Sequence, residues 1–303
     1  MEQLAIPRQS QRWGFGLVAI AGTLWGTIGP ATQAIYGVSS TTPLSISFLR
    51  AAVATPILLI GCWYLLREKA FHIPRRDLGI MILIGILTGL SQTAYLIAIP
   101  LAGVTISTLV GVCLAPVSVA LVSVIFRFEP FNRKVMMALV CAIIGTVLVV
   151  GIEPGADLPH NAIIGVLFSV ASGLTYAGVI VCGRFLANRA HPVQVNAIGF
   201  ATSAIMLLII ALLTGGPKLN YPVQGWLLVL YLGAVPTALG YGLFVAGMKT
   251  TQATIAGIIT LLEPVTAAIL AAILFGERLT VIGIFGALLL LGAIVVLARS
   301  DNA

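Results

Sequence analysis

The chain has 303 residues, 59% of them hydrophobic and only 8% charged, with a mean hydropathy of +1.11. Ordinary soluble domains carry about 25% charged residues, so a water-soluble fold of this length could not cover its surface, and the composition reads as an integral membrane protein with no soluble domain. The net charge of +7 does not indicate a nucleic-acid partner, because the basic residues are scattered among short loops and form no basic domain.

Ten apolar segments follow one another, each long enough to cross a bilayer core as a helix. The predicted spans are Trp13–Tyr36, Pro43–Leu66, Leu78–Ile99, Gly103–Phe126 and Arg133–Gly151, then Asn161–Phe185, Pro192–Thr214, Val223–Met248, Thr251–Phe275 and Thr280–Leu297. Charge or Pro/Gly punctuation separates them, as in "REKAFHIPRRD", "RFEPFNRK", "EPGADLPHN" and "GGPKLNYP". Arg8 and Arg12 before the first segment resemble the start of a signal peptide. The segment has no small-residue exit and runs on through Trp25 and Pro30, so it reads as a retained span. The four cysteines (Cys62, Cys113, Cys141, Cys182) all fall within predicted spans without CxxC spacing. They read as small buried residues, with no metal site and no cofactor expected.

With the N-terminus inside, thirteen of the 16 basic residues fall on the inner side, Lys218 and Arg278 on the outer side, and Arg50 within a span. That asymmetry places both termini in the cytoplasm and supports the count of ten helices. The chain also repeats itself. "LAPVSVALVSVIFRFEP" from Leu114 and "LEPVTAAILAAILFGER" from Leu262 align so that Pro116 and Pro264 are 148 positions apart, as are Glu129 and Glu277, and Gly85 and Gly233. Two five-helix halves are predicted, residues 1–155 and 156–303. Five is odd, so the second half is inserted upside down. Inverted repeats of this kind build secondary transporters, in which one central site is exposed to either side in turn.

At these residues the chain resembles the drug/metabolite transporter superfamily, specifically the ten-helix EamA-type exporters. "LWGTIGP", "SFLRAAVA" around Arg50, and the doubled "APVSVALVSVIFRFEP" and "EPVTAAILAAILFGERLT" carry the resemblance, which covers essentially the whole chain. The first-half copy departs from the pattern, because "RFEPF" has no glycine before the acid. The resemblance implies an all-α membrane fold and export of small metabolites across the bacterial inner membrane. Similar members include amino-acid exporters, some favouring aromatic substrates.

Polar residues inside the spans mark the candidate site. Glu263 stands about twelve residues into the ninth span, roughly 18 Å at 1.5 Å per residue, near the bilayer midplane. A carboxylate there must face the bundle interior, where it serves either as a structural acid or in substrate-amine binding or proton coupling. Pro264 and Pro116 are expected to kink their helices, freeing the carbonyls of Thr260 and Val112 and acting as hinges beside a central cavity. Helical spacing gathers Thr88, Ser91, Gln92 and Tyr95 on the third span. It does the same for Ser169, Ser172 and Tyr176 on the sixth, Thr237, Tyr241 and Phe244 on the eighth, Gln252, Ala256, Thr260 and Glu263 on the ninth, and Trp25 with small residues on the first. Such stripes serve close helix packing as well as a pore. Together, with Trp25, Tyr95, Tyr176 and Tyr241 as walls, they describe a substrate site suited to neutral or zwitterionic ligands with apolar side chains. Arg50 reads as a snorkelling or carbonyl-bound structural cation, with attraction of a carboxylate as the other reading. Glu129 and Glu277 stand just before the fifth and tenth spans, where an acid complements the positive end of the helix dipole, and they read as fixing their loops.

The chain has no GxxxxGK[ST], HExxH or GxSxG, which leaves neither an ATP-driven motor nor a familiar hydrolase. Nucleotide sugars would need several basic residues at the cavity, and only Arg50 is there. A channel would want carbonyl filters or charged rings, which the chain does not offer plainly. The expected protein is thus a secondary exporter that works as a monomer, with a broad drug/metabolite exporter or a channel as alternatives.

Overall fold

The computed structural model describes residues 8–125, 160–186, 189–251, 259–260, 262–277 and 279–300, with scattered positions between 133 and 148. Most of the predicted fifth span, the half boundary near 155, Glu129, Gln252 and Ala256 lie outside the described residues. Every regular element among the described residues is helical. Six stretches are long and apolar enough to cross a membrane: Trp13–Val38, Pro43–Ala70, Arg75–Ala102, Asn161–Gly183, Pro192–Leu213 and Val223–Met248. Large apolar side chains cover the outside, with Leu213 82% and Ile273 73% exposed. In water that surface would be an aggregation liability; against lipid it is the required one. The protein is a multi-pass membrane protein.

The first predicted span is two helices, α1 (Arg8–Gly26) and α2 (Ile28–Val38), joined at Thr27. Pro30 has no N–H to give the Gly26 carbonyl, so the ladder is interrupted there, and Ala31 N donates to Thr27 O at 3.0 Å. The Thr27 hydroxyl bonds to Leu24 O at 2.6 Å and pairs with the Tyr231 hydroxyl at 2.7 Å. At the break the chain passes another backbone closely. A Cβ on Gly26 would sit 2.5 Å from the Glu263 carbonyl oxygen.

Next come α3 (Pro43–Leu66), capped by Thr42 through Ser45 N, and α4 (Arg75–Ala102). Gly103 follows with φ +84°, a backbone that favours glycine, and turns the chain into α5 (Val104–Ile125). Pro116 lies within α5, whose helix continues past it. Then come α6 (His160–Leu186) and α7 (Pro192–Leu213). The α7 start is a reciprocal cap: Val193 N donates to His191 Nδ1, and His191 N donates to Gln194 Oε1.

The predicted eighth span is regular only at its ends, α8 (Val223–Leu232) and α9 (Gly240–Met248). Between them Gly233–Leu239 is a π-helical bulge containing Pro236. The last elements are α10 (Leu262–Phe275) and α11 (Val281–Ser300). Pro264 stands in the first turn of α10, and most of the predicted span before it lies outside the described residues. A missing N–H costs nothing in a first turn. The Thr260 carbonyl, expected to be freed, accepts from Glu263 N at 3.0 Å.

Helix α4 packs on α6 and α7, α3 on α7, and α1 on α9 and α10. Between α4 and α6 the contact is a reciprocal serine pair. Ser91 Oγ donates to Ser172 O and Ser172 Oγ to Ser91 O, each at 2.9 Å. Such side-chain-to-backbone bonds hold helices together where no hydrophobic effect drives them.

Candidate functional site

A cavity of about 460 Å³ lies at the centre of these helices. Of the residues singled out from sequence, Trp25 (α1), Thr88, Ser91, Gln92 and Tyr95 (α4) and Tyr176 (α6) line it. So do Tyr241 (α9), Thr260, which precedes α10, and Glu263 (α10). Thr237 does not reach the cavity lining. It is fully buried behind Arg50.

The reason is local backbone chemistry. Pro236 cannot donate to the Leu232 carbonyl four residues back. The Thr237 hydroxyl takes over, donating to Leu232 O at 2.7 Å. That leaves its oxygen to accept from Arg50 Nε at 2.6 Å. The π bulge and its proline thus fix one edge of the guanidinium. Gln92 fixes another, its Oε1 accepting from Arg50 Nη1 at 2.5 Å.

Arg50 is 2% exposed, so it does not snorkel, and its partners are side chains rather than helix carbonyls. It borders the cavity, and its Nη2 has no acceptor among the described residues. The Glu263 side chain also borders the cavity and has neither a hydrogen bond nor an ion pair among the described residues. The two charges lie within electrostatic range of each other but are not an ion pair. Two opposite charges that border one cavity with no salt bridge among the described residues are costly inside a bundle of apolar helices.

The wall beside them is aromatic. Trp25 stands 5.1 Å, centroid to centroid, from both Tyr241 and Phe244, and Phe200 meets Tyr241 edge-on at 5.2 Å. The Tyr95 hydroxyl pairs with Thr108 Oγ1 at 2.7 Å. The Trp25 indole N–H is buried without an acceptor among the described residues. Phe200 and Asn196 of α7 line the cavity too and were not singled out from sequence. Asn196, Gly199 and Phe200 recur at the same i, i+3, i+4 spacing that marked α4, so that signal was present.

The cavity extends toward Gly183, Pro192 and Val195, the end of the bundle where α6 connects to α7. The opposite end is tied shut. The Tyr36 hydroxyl donates to Leu96 O at 3.0 Å, Lys218 N to Ser45 Oγ at 2.8 Å, and Thr41 pairs with Tyr221. Glu277, in the α10–α11 connection, accepts from Val104 N at 2.8 Å and Thr105 N at 2.9 Å. Its carboxylate therefore caps α5, not the tenth span that follows it in sequence. Thr280 serves that following helix, accepting from Gly283 N at 3.0 Å. Glu277 thus fixes its loop, as expected, but by a cap that acts across the fold.

Comparison with known proteins gives a consistent assignment. The model of the EamA-like transporter family matches twice, over residues 12–151 and 163–299. An uncharacterized transporter of Archaeoglobus fulgidus is 28% identical over 288 residues, covering 95% of this chain and 97% of its own. One of Bacillus subtilis is 26% identical over 290 residues, covering 93% and 92%. A protein of Salmonella typhimurium named "Probable amino-acid metabolite efflux pump" is 26% identical over 254 residues, covering 79% of this chain and 84% of its own. A solved crystal structure superposes with a TM-score of 0.66 at 22% identity, covering 97% of this chain and 99% of that one, and so shares the fold.

Proposed function

This chain belongs to the EamA-like transporter family, and from that premise we propose that it exports small metabolites, foremost amino acids with aromatic or neutral apolar side chains, across the bacterial inner membrane. The observation that carries the reading is the central cavity, with two unpaired charges and an aromatic wall inside otherwise apolar helices. Amphipathic ligands with a compact polar head and an apolar body suit such a lining.

The working mechanism is alternating access by two inverted five-helix halves, residues 1–155 and 156–303, ten helices in all. The two separate matches to one family model support the division. Both termini lie in the cytoplasm in this scheme, by the charge asymmetry of the loops. The cavity then opens toward the cytoplasm, and the Tyr36, Tyr221 and Glu277 contacts close the outer end. Export requires that this closed end come apart while the α6–α7 end closes, with Pro116 and Pro264 as candidate hinges. Glu263 is the midplane acid available for proton coupling.

The test is uptake of labelled aromatic and small apolar amino acids into liposomes holding the purified protein, with and without a pH gradient. Saturable uptake with counterflow is expected, since a channel shows neither. A pH effect that disappears in Glu263→Gln assigns coupling to that acid. Folded, inserted protein that carries no amino acid refutes the substrate and moves the reading to broader drug-like cargo.

A further inference from the structure

Resting on the reading of this protein as an amino-acid carrier, we propose that Arg50 and Glu263 are the two poles of a zwitterion site. The guanidinium receives the carboxylate of the substrate, and the Glu263 carboxylate receives its ammonium group.

Charge balance favours a zwitterion. Among the described residues the Arg50 guanidinium bonds only neutral partners, Thr237 and Gln92, and Nη2 still lacks an acceptor. Glu263 has no cation within ion-pair distance among the described residues. A ligand of one charge sign entering the cavity would displace water from both poles and neutralise only one. A zwitterion neutralises both at once and brings no net charge into the bilayer interior.

The orientation of Arg50 suits a carboxylate as well. Arg50 is held by Nε and Nη1, on a hydroxyl that is itself locked to Leu232 O and on the Gln92 amide oxygen. A fixed guanidinium whose remaining nitrogen is unsatisfied is a preorganised anion receptor, with little side-chain entropy left to lose on binding. The contrast within the chain is instructive. At the bundle end Asp77 and Arg189 pair directly, Nη2 to Oδ1 at 2.9 Å. A charge there has an oppositely charged partner; among the described residues the cavity charges do not.

Trp25, Phe200 and Tyr241 form a continuous aromatic wall at the same cavity. With carboxylate and ammonium on one carbon held between the poles, a large apolar side chain is left to meet that wall. The proposed ligand class is therefore an α-amino acid with an aromatic or bulky aliphatic side chain.

The experiment is competition against uptake of labelled L-phenylalanine into liposomes. The competitors are L-phenylalanine, phenethylamine, which lacks the carboxylate, and 3-phenylpropionate, which lacks the amine. In the wild type each analogue should compete about tenfold or more weakly than phenylalanine, the scale of one lost charge-assisted hydrogen bond. In Arg50→Gln phenethylamine should compete as well as phenylalanine, whereas Arg50→Lys should keep part of the preference. In Glu263→Gln 3-phenylpropionate should draw level. If Arg50→Gln does not fold, the wild type and Arg50→Lys decide the matter. Wild-type uptake of phenylalanine with no discrimination among the three competitors overturns the two-pole site while leaving the carrier reading intact. So does unchanged discrimination in Arg50→Gln. Wild-type protein that takes up no phenylalanine overturns the carrier reading for this substrate, and the site with it.

Discussion

Replacing Glu277 by alanine tests whether a long-range helix cap holds the closed end together. The carboxylate accepts two backbone N–H groups in the first turn of α5, at 2.8 and 2.9 Å, where the helix has no internal acceptors to offer. Each hydrogen bond to a charged group contributes about 1.5–3 kcal/mol. Because Glu277 is only part-buried, the low end applies, and the pair contributes about 3 kcal/mol with the dipole interaction included. For a chain of this length that corresponds to roughly 5 °C in Tm. Glu277→Ala should therefore unfold about 5 °C lower in detergent or nanodiscs. Glu277→Gln, which keeps one good acceptor and loses the charge, should fall between. Gly103→Ala should reproduce part of the loss, since its Cβ would lie 3.1 Å from Glu277 Oε1 on a backbone with φ +84°. An unchanged Tm in Glu277→Ala, with Val104 and Thr105 amides equally protected from exchange, would show that the cap carries no weight.

Thr237→Val keeps the shape but removes the donor to Leu232 O and the acceptor for Arg50 Nε. It should cost about 2–4 kcal/mol and weaken substrate competition, whereas Thr237→Ser should restore both, as read by thermal unfolding and liposome uptake. Gly26→Ala would put a methyl 2.5 Å from the Glu263 carbonyl and 2.6 Å from the Thr266 Cβ, forcing α1 away from α10. A loss of about 1–3 kcal/mol is expected, with Gly37→Ala, which meets nothing within 4 Å, neutral in the same unfolding assay. Burial, then nearby Lys249, lowers the His191 pKa from its ordinary 6.5. Its neutral Nδ1 accepts from Val193 N, so this cap's stability is present above the ordinary histidine pKa and is lost as pH falls through the lowered one. The protection factor of the Val193 amide, its exchange rate relative to the intrinsic rate at each pH, should fall on acidification in the wild type and stay constant in His191→Ala.

Much of the bundle was legible without coordinates. Apolar runs of bilayer length, broken by charged or Pro/Gly connections, leave helix as the available conformation, because lipid cannot satisfy an open backbone. The stripes on α4, α6 and α9 were legible for a related reason. A polar residue facing lipid is too costly, so helical spacing alone places Thr88, Ser91, Gln92 and Tyr95 on an interior face. The π bulge was not legible. Pro236 marks a disturbed ladder, but whether a helix kinks, restarts or bulges depends on which neighbouring hydroxyl can reach the freed carbonyl.

What the sequence determined by itself, then, was the class of solvent around the chain, the helical segments and the faces that turn inward, all of which follow from local composition and period. Tertiary structure decided the partners. Sequence adjacency assigned Glu277 to the helix after it, yet its carboxylate caps α5, more than 170 positions away in the chain. Sequence asked for partners to a buried Arg50 without naming them, and the fold supplies the Thr237 hydroxyl and the Gln92 amide oxygen. Hydrogen bonds and charge pairs are short-ranged and directional. Residues remote in sequence can make them only once the helices have packed, so local pattern carries the need for a partner and not its identity.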